Sequence, residues 1–461
     1  MWWQCFLAFV LLSVQTTTFA EQLPATRTNL PAIPSTWTTA EREAWEDIRQ
    51  GKQATLQPEH QDLSSAFLST ILTDPQFTNA IPEAKVQIAS ARISADLVLF
   101  DKTVPVFLTL VNCYLGGLIT DHTTFEKGIA LNLEKGRTLL LENSNVKGRF
   151  SIDHSEFGYV EALYSEFEGV SLSAVDTSEV GILSVNCHIY GPTVLQRIQT
   201  GSVMLSSCRL DDNAFLADTF SVPIHLSSDV FSLDLDISGA TFESEVELER
   251  SEINRSLISG SRSGAVAEER QWGKKSLLIL TDTTVKFPQD SRTAWPETLA
   301  LNGFVYKKWR PLDGDLSQRE VKTWFLPWLR KQRIYSPEPY NQLAEVLRDA
   351  GQPEMAKEVL FASKERARKQ LTNGFALVFS TLSLLVIGHG YHYEFSLYWC
   401  LFFVMLGTLI LITTPEGRLC QQKNTDFGWS DLFFYSLDAF LPFVRLRDRF
   451  SELDFKSWIR S

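Results

Sequence analysis

VKGRFSIDHSEFGYVEALYSEFEGVSLSAVDTSEVGILSVNCHIYGPTV, residues 146–194, decides the fold. Its glycines, Gly148, Gly158, Gly169, Gly181 and Gly191, recur at intervals of 10, 11, 12 and 10 residues. Apolar residues precede them (Val146, Phe157, Phe167, Val180, Ile189) and follow them (Phe150, Val160, Leu172, Leu183, Val194). A short strand plus a turn, repeated at fixed spacing, is the mark of a solenoid. Two units make about 20 residues, one coil of a parallel β-helix. Hairpins could also place strands at this spacing, but the Asn-Gly and Asp-Gly turns that favour them are absent here.

Outward from this stretch the same texture runs from about residue 85 to 300. Val86 and Ile88, Leu97 and Leu99, Leu139 and Leu141, Leu233, Leu235 and Ile237 alternate with polar residues, as half-buried strands do. Stacked coils bury one another's apolar faces, and each inward side chain contributes on the order of 1.5–3 kcal/mol before entropy. About ten coils then hold without a metal or a disulfide framework. The expected fold class is mainly β: a right-handed parallel β-helix with an N-terminal helical cap, a C-terminal helical hairpin and two transmembrane helices. Ser259–Trp272 is polar and glycine-containing and reads as a loop projecting from a coil.

The flanks differ. Residues 1–20 hold a short apolar core, Phe6–Val14, and Thr18-Phe19-Ala20 resembles a cleavage site, so they read as a secretory signal lacking the usual leading cation. Residues 21–82 read as an extended segment and a helical cap. Thr38 and Glu41 form a capping-box pattern before Ala44, Trp45 and Ile48, and a second helix covers Ser64–Leu72. Residues 83–303 form the solenoid, and 304–370 a helical junction in which Ser336 and Pro337 start a helical hairpin. Gln370–Tyr393 and Phe395–Pro415 carry no charge over 24 and 21 residues. Each is long enough for a hydrocarbon layer of about 30 Å, which makes 371–415 a transmembrane hairpin. Residues 416–461 are rich in aromatics and end on Arg445, Arg447 and Arg449, as an amphipathic interfacial tail would.

Four blocks, AEREAWEDIRQGKQATL, VQIASARISADLVLFDKTVPVFLTLVNCYL, SPEPYNQLAEVLRDAGQPEMAKEVL and FFYSLDAFLP, resemble successive parts of a bacterial family of pentapeptide-repeat-like membrane proteins, some called membrane-associated oxidoreductases. The resemblance spans roughly Thr38 to Phe450 and implies a right-handed β-helix followed by helices and a membrane hairpin. The oxidoreductase label would imply a redox cofactor. The chain has no GxGxxG turn and no flavin or haem signature, so none is expected.

Three groups of residues are candidates for chemistry. Asp211, Asp212 and Asp218 form a loose acidic group, which a polysaccharide lyase or hydrolase of β-helix type would use on one solenoid face. Cys187 and Cys208 lie 21 residues apart, about one coil, and would stack either as a redox pair or as an inward ladder of small residues. Asn186-Cys187 and Asn112-Cys113 share a local form that favours the ladder. His389 and His392 lie between the two expected membrane helices and supply two metal ligands, short of a closed site. No GxSxG, HExxH or P-loop occurs.

A net charge of −12 argues against nucleic acid as a partner. The expected partners are the lipid bilayer and a protein or glycan held on the solenoid surface; a homo-oligomer is compatible with this. The signal places the solenoid outside the cytoplasm, on the periplasmic side of a bacterial inner membrane. Lys364, Arg366, Arg368 and Lys369 before the apolar region and Arg418 and Lys423 after it point the other way. The function expected is a membrane-anchored interaction scaffold, with an envelope polysaccharide enzyme as the alternative.

Overall fold

The computed structural model describes residues 31–177, 181–198, 201–260, 271–291, 294–312, 321–392, 394–413 and 429–440. The expected signal segment, most of the projecting loop and most of the tail lie outside them. The chain forms a mainly-β parallel solenoid of about 10 turns with helices at its C-terminal end. Phe125 is in register with Val146, Val146 with Phe167, and Phe167 with Ile189. One turn therefore takes 21 or 22 residues, two glycine-spaced units.

The register sets like upon like. The buried column of Phe125, Val146, Phe167 and Ile189 continues through Leu210, Phe231, Ile253 and Val285 to Tyr306. A second column runs Leu118, Leu139, Val160, Ile182, Val203, Ile224, Val246, Leu278 and Leu299. A parallel strand buried on its inner face needs such a column, because a slip of one residue would turn it to solvent.

The corners explain the short strands. Asn143, Tyr164, Asn186, Ser207 and Ser228 all take left-handed backbone, φ 44° to 60°, at matching positions of successive turns. The residue after each points inward and is buried: Ser144, Ser165, Cys187, Cys208 and Asp229. The Ser165 hydroxyl and the Cys187 and Cys208 thiols donate to carbonyls of the preceding turn, Leu141 O (3.1 Å), Ala162 O (3.4 Å) and Ser184 O (3.4 Å), while Ser144 Oγ meets the Thr120 hydroxyl there (2.9 Å). These bonds satisfy carbonyls at a corner where left-handed backbone costs about 1 kcal/mol or more. Gly148, at φ 92°, also turns a corner, and a Cβ there would strike the carbonyl of Lys127.

Both ends are closed. Helices α1 (Thr39–Arg49), α2 (Ser65–Thr73) and α3 (Pro75–Thr78) cover the first turn. Trp37, Trp45, Phe67 and Phe77 pack edge-on or tilted there at 4.7–6.3 Å. The capping box of Thr38 and Glu41 forms as the sequence predicts, and Glu41 also accepts from the Ser64 amide at 3.0 Å. At the other end the strand ladder reaches Arg310–Pro311, past the expected boundary at 303, because Tyr306 extends the buried column over Val285. Buried Asp290 accepts from Trp295 Nε1 (2.6 Å) and Trp309 Nε1 (2.7 Å), and Trp328 packs edge-on against Trp309. The projecting loop adds length between Ile253 and Val285, which are in register. Its last residues are not solvent-facing: Gln271 and Trp272 are buried, with Trp272 tilted against Phe242.

Beyond the solenoid lie α4 (Leu326–Arg330), α5 (Glu338–Asp349) and α6 (Pro353–Lys369). Leu343, Val346 and Leu347 of α5 and Ala356 and Val359 of α6 are buried in the hairpin they form. Then come α7 (Gly374–Ile387), α8 (Glu394–Thr413) and α9 (Trp429–Phe440), the last packed on α8 through Ser436 Oγ to Val404 O (2.9 Å).

Here one expectation fails. Among the described residues one helix, α8, is long and apolar enough to cross a membrane, not two. The uncharged run Gln370–Tyr393 contains a helix of only 14 residues, roughly 21 Å long. Asn373 caps it by accepting from the Phe375 amide (3.0 Å), and Gly388, in left-handed conformation, ends it. Absence of charge measures apolarity; the caps set length.

Candidate functional site

A convergent polar group on the solenoid exterior arises from the stacking of successive turns. His188 is in register with Arg209 one turn on, which also aligns Tyr190 with Asp211. His188 Nε2 lies 2.7 Å from Asp211 Oδ2. Asp211 Oδ1 accepts from Arg209 Nε (2.8 Å) and from Ser232 Oγ (2.9 Å), one turn further. Tyr190 lies against the imidazole, with ring centroids 3.9 Å apart, and is half exposed. The hydrogen bond from His188 holds the Asp211 carboxyl below its usual range, with Ser232 and Arg209 adding to it. Partial burial, with Glu166 and Asp211 nearby, raises the Tyr190 phenol. The patch thus offers an exposed aromatic face beside a charged hydrogen-bonding edge on a rigid strand surface.

The expected acidic group is spread over separate partners. Asp211 belongs to the patch. Asp212 Oδ1 accepts from the Asn213 amide at 2.7 Å. Asp218 sits at a left-handed corner and pairs with Arg197 at 3.4 Å.

Cys187 and Cys208 stack in adjacent turns inside the solenoid and are free thiols. The hydrogen bond with Cys187 and burial both raise the Cys208 thiol. Directly above it sits Asp229, fully buried. Its Oδ1 accepts from the Cys208 amide (2.8 Å), while Oδ2 has no hydrogen-bond partner. Burial first, then the neighbouring Cys208, pushes its pKa up to about 8.

His389 and His392 both pack against Phe361 of α6, with ring centroids 6.0 and 5.1 Å away, and each pairs with a different carboxylate. His389 Nε2 lies 3.8 Å from Glu365, and His392 pairs with Glu394 at 2.9 Å while packing between Phe361 and Phe395. No group of three or more His, Cys, Asp or Glu residues positioned for a metal occurs among the described residues.

Reading the sequence one strand at a time misses His188, Tyr190, Arg209, Ser232 and Asp229. A fixed coil length of 21 or 22 residues would have found them, since it brings residues that far apart into contact. No family model, no curated protein and no solved structure matches this chain.

Proposed function

We propose that this protein is a membrane-anchored scaffold whose solenoid surface holds a protein or glycan partner. The observation that carries it is the join between a rigid, capped solenoid and helices whose apolar side chains face outward. Phe375, Val378 and Phe379 on α7 and Leu397, Leu401 and Met405 on α8 are more than half exposed. Exposed apolar area of this extent is stable only when covered, and a hydrocarbon layer is a natural cover for a helix of 20 residues. Tyr391, Tyr398 and Trp399 cluster near the start of α8, where interfacial aromatics belong. A solenoid followed by helices and an apolar region is also the layout implied by the resemblance to pentapeptide-repeat-like membrane proteins. If the first 20 residues act as the secretory signal that their sequence suggests, the solenoid lies outside the cytoplasm.

Around His188 and Tyr190, ring stacking and a charged edge suit a sugar or a polar peptide. The polysaccharide-enzyme alternative relies on Asp211, Asp212 and Asp218 acting together, and their separate hydrogen-bond partners give it less support.

The test has two parts. The full chain should float with phosphatidylcholine vesicles and resist alkaline extraction, and Leu401→Arg with Met405→Arg should abolish this. Neutral and anionic oligosaccharides and a polar peptide set, titrated against the vesicle-bound chain, should include a ligand whose binding falls at least tenfold in Tyr190→Ala. Wild-type chain that stays off vesicles, or cleavage of an oligosaccharide with no stable binding, would overturn the reading.

A further inference from the structure

A cleft of about 730 Å³ opens where the helical junction meets the start of α8. Its size lies within the range of small-molecule sites. Lys322, Arg330 and Lys369 line it, are exposed, and make no ion pair among the described residues. Arg366 forms its floor. Its guanidinium donates to Leu329 O (2.9 Å), to Tyr340 Oη (3.2 Å) and to Gln332 O, all neutral acceptors, so its charge is held in place without a counter-ion. Two carboxylates also line the cleft. Glu365 is already engaged by Arg368 (3.3 Å) and lies near His389, so of the cleft's lining Glu358 is the one other carboxylate against four cations.

The cleft's other wall is Phe361 with His392, whose ring packs on Phe395 of α8. The cationic cavity therefore sits at one end of the only helix, among those described, fit to span a membrane. If α8 spans, that end is at the depth of lipid phosphates, and exposed apolar side chains of α7 and α8 lead away from it. A ligand with a compact anionic head and long apolar chains matches both parts.

We infer that this cleft binds the headgroup of an anionic phospholipid, whose acyl chains lie along α7 and α8. The inference rests on the membrane reading above. Arg366, with neutral partners only, presets the charge, and Arg330 and Lys369 close on the phosphate from opposite elements. Each Lys or Arg near a lipid surface contributes about fivefold in affinity.

Native mass spectrometry of the detergent-solubilised full chain tests this, with phosphatidylglycerol or phosphatidylcholine added. Wild type should retain one phosphatidylglycerol in preference to phosphatidylcholine. Arg330→Ala with Lys369→Ala should lower that retention by roughly 25-fold. Lys102→Ala with Lys147→Ala, on the solenoid, makes the same change in net charge and should leave retention unchanged. Arg330→Lys alone should keep most of it, which shows that charge rather than folding is read. Equal retention in the cleft variant and the control would overturn the inference, as would tight inorganic phosphate binding that the cleft variant loses and that displaces no lipid. Flotation with pure phosphatidylcholine separates the two proposals: wild type that floats but retains phosphatidylglycerol no better than phosphatidylcholine in the mass spectra defeats only the cleft, whereas wild type that never floats defeats the anchor.

Discussion

Asp229 shows how one residue can oppose the fold around it. It occupies a station where Ser165, Cys187, Cys208 and Ser251 each donate a hydrogen bond to a carbonyl of the turn before. A carboxylate there can only accept, and its Oδ2 has no partner. The folded state therefore favours the protonated acid, with a pKa near 8, against about 3.9 in the unfolded chain. The sign follows. The unfolded chain releases this proton first, so the contribution to stability is intact below about pH 4, is lost as pH rises towards 8, and is constant above that. Asp229→Ser should remove this slope and raise stability at pH 7 by a few kcal/mol, on the order set by such a shift. Urea unfolding at pH 5 and pH 8 measures it, and an unchanged difference between the two pH values would contradict the assignment. The thiols carry a separate expectation. Cys187→Ser and Cys208→Ser should each cost about 1 kcal/mol or less, because serine already fills equivalent stations, and a reductant should not shift the melting temperature of the wild type.

Among the elements, the two caps use the same device: a buried carboxylate that ties segments together by accepting several hydrogen bonds. Glu41 joins α1 to the start of α2 by accepting from the Thr38 amide (2.8 Å) and from the amide and hydroxyl of Ser64. Burial works to raise its pKa, and these hydrogen bonds outweigh burial and lower it. Its stabilising effect is therefore present at neutral pH and fades as pH falls through the folded pKa, below about 4.5. Glu41→Ala should cost about 2–3 kcal/mol, read as a lower melting temperature at pH 7 and a smaller difference at pH 3. At the other end, Asp290→Ala would strip the acceptor from two indoles and cost about 3 kcal/mol. Tryptophan emission should shift to the red, and amide exchange should quicken over the strands Thr298–Ala300 and Val305–Tyr306.

At the scale of the whole molecule, each turn touches mainly the turns before and after it, so damage should stay local. Phe231 stands near the middle of the buried column, between Leu210 and Ile253. Phe231→Ala should cost about 3–4 kcal/mol through the cavity it leaves. Hydrogen exchange should rise in the neighbouring strands Val203–Ser206, Ile224–Ser227 and Val246–Glu249 while α1 and α2 keep their protection. A uniform rise from cap to cap would show that the solenoid unfolds as one unit.

The solenoid was readable from the chain because its cause is local and repeated. Glycines at Gly148 to Gly191 and alternating apolar residues such as Leu139 and Leu141 state the strand length, the turn and the side that faces inward. The capping box at Thr38 and Glu41 was equally plain, since both partners lie within one helical turn. The patch at His188 and Asp211 was not, because it depends on which residues a coil of 21 or 22 places side by side, and one residue of error in that length moves every outer neighbour. The same holds for Asp229, which reads as one more polar residue until stacking buries it beneath Ser251. At the apolar end, composition identified two uncharged runs, but Asn373 and Gly388 cut the first to 14 residues. Periodicity is written in neighbours along the chain, whereas proximity between turns, burial of a charge and the true length of a helix arise only when backbone hydrogen bonds bring distant residues together.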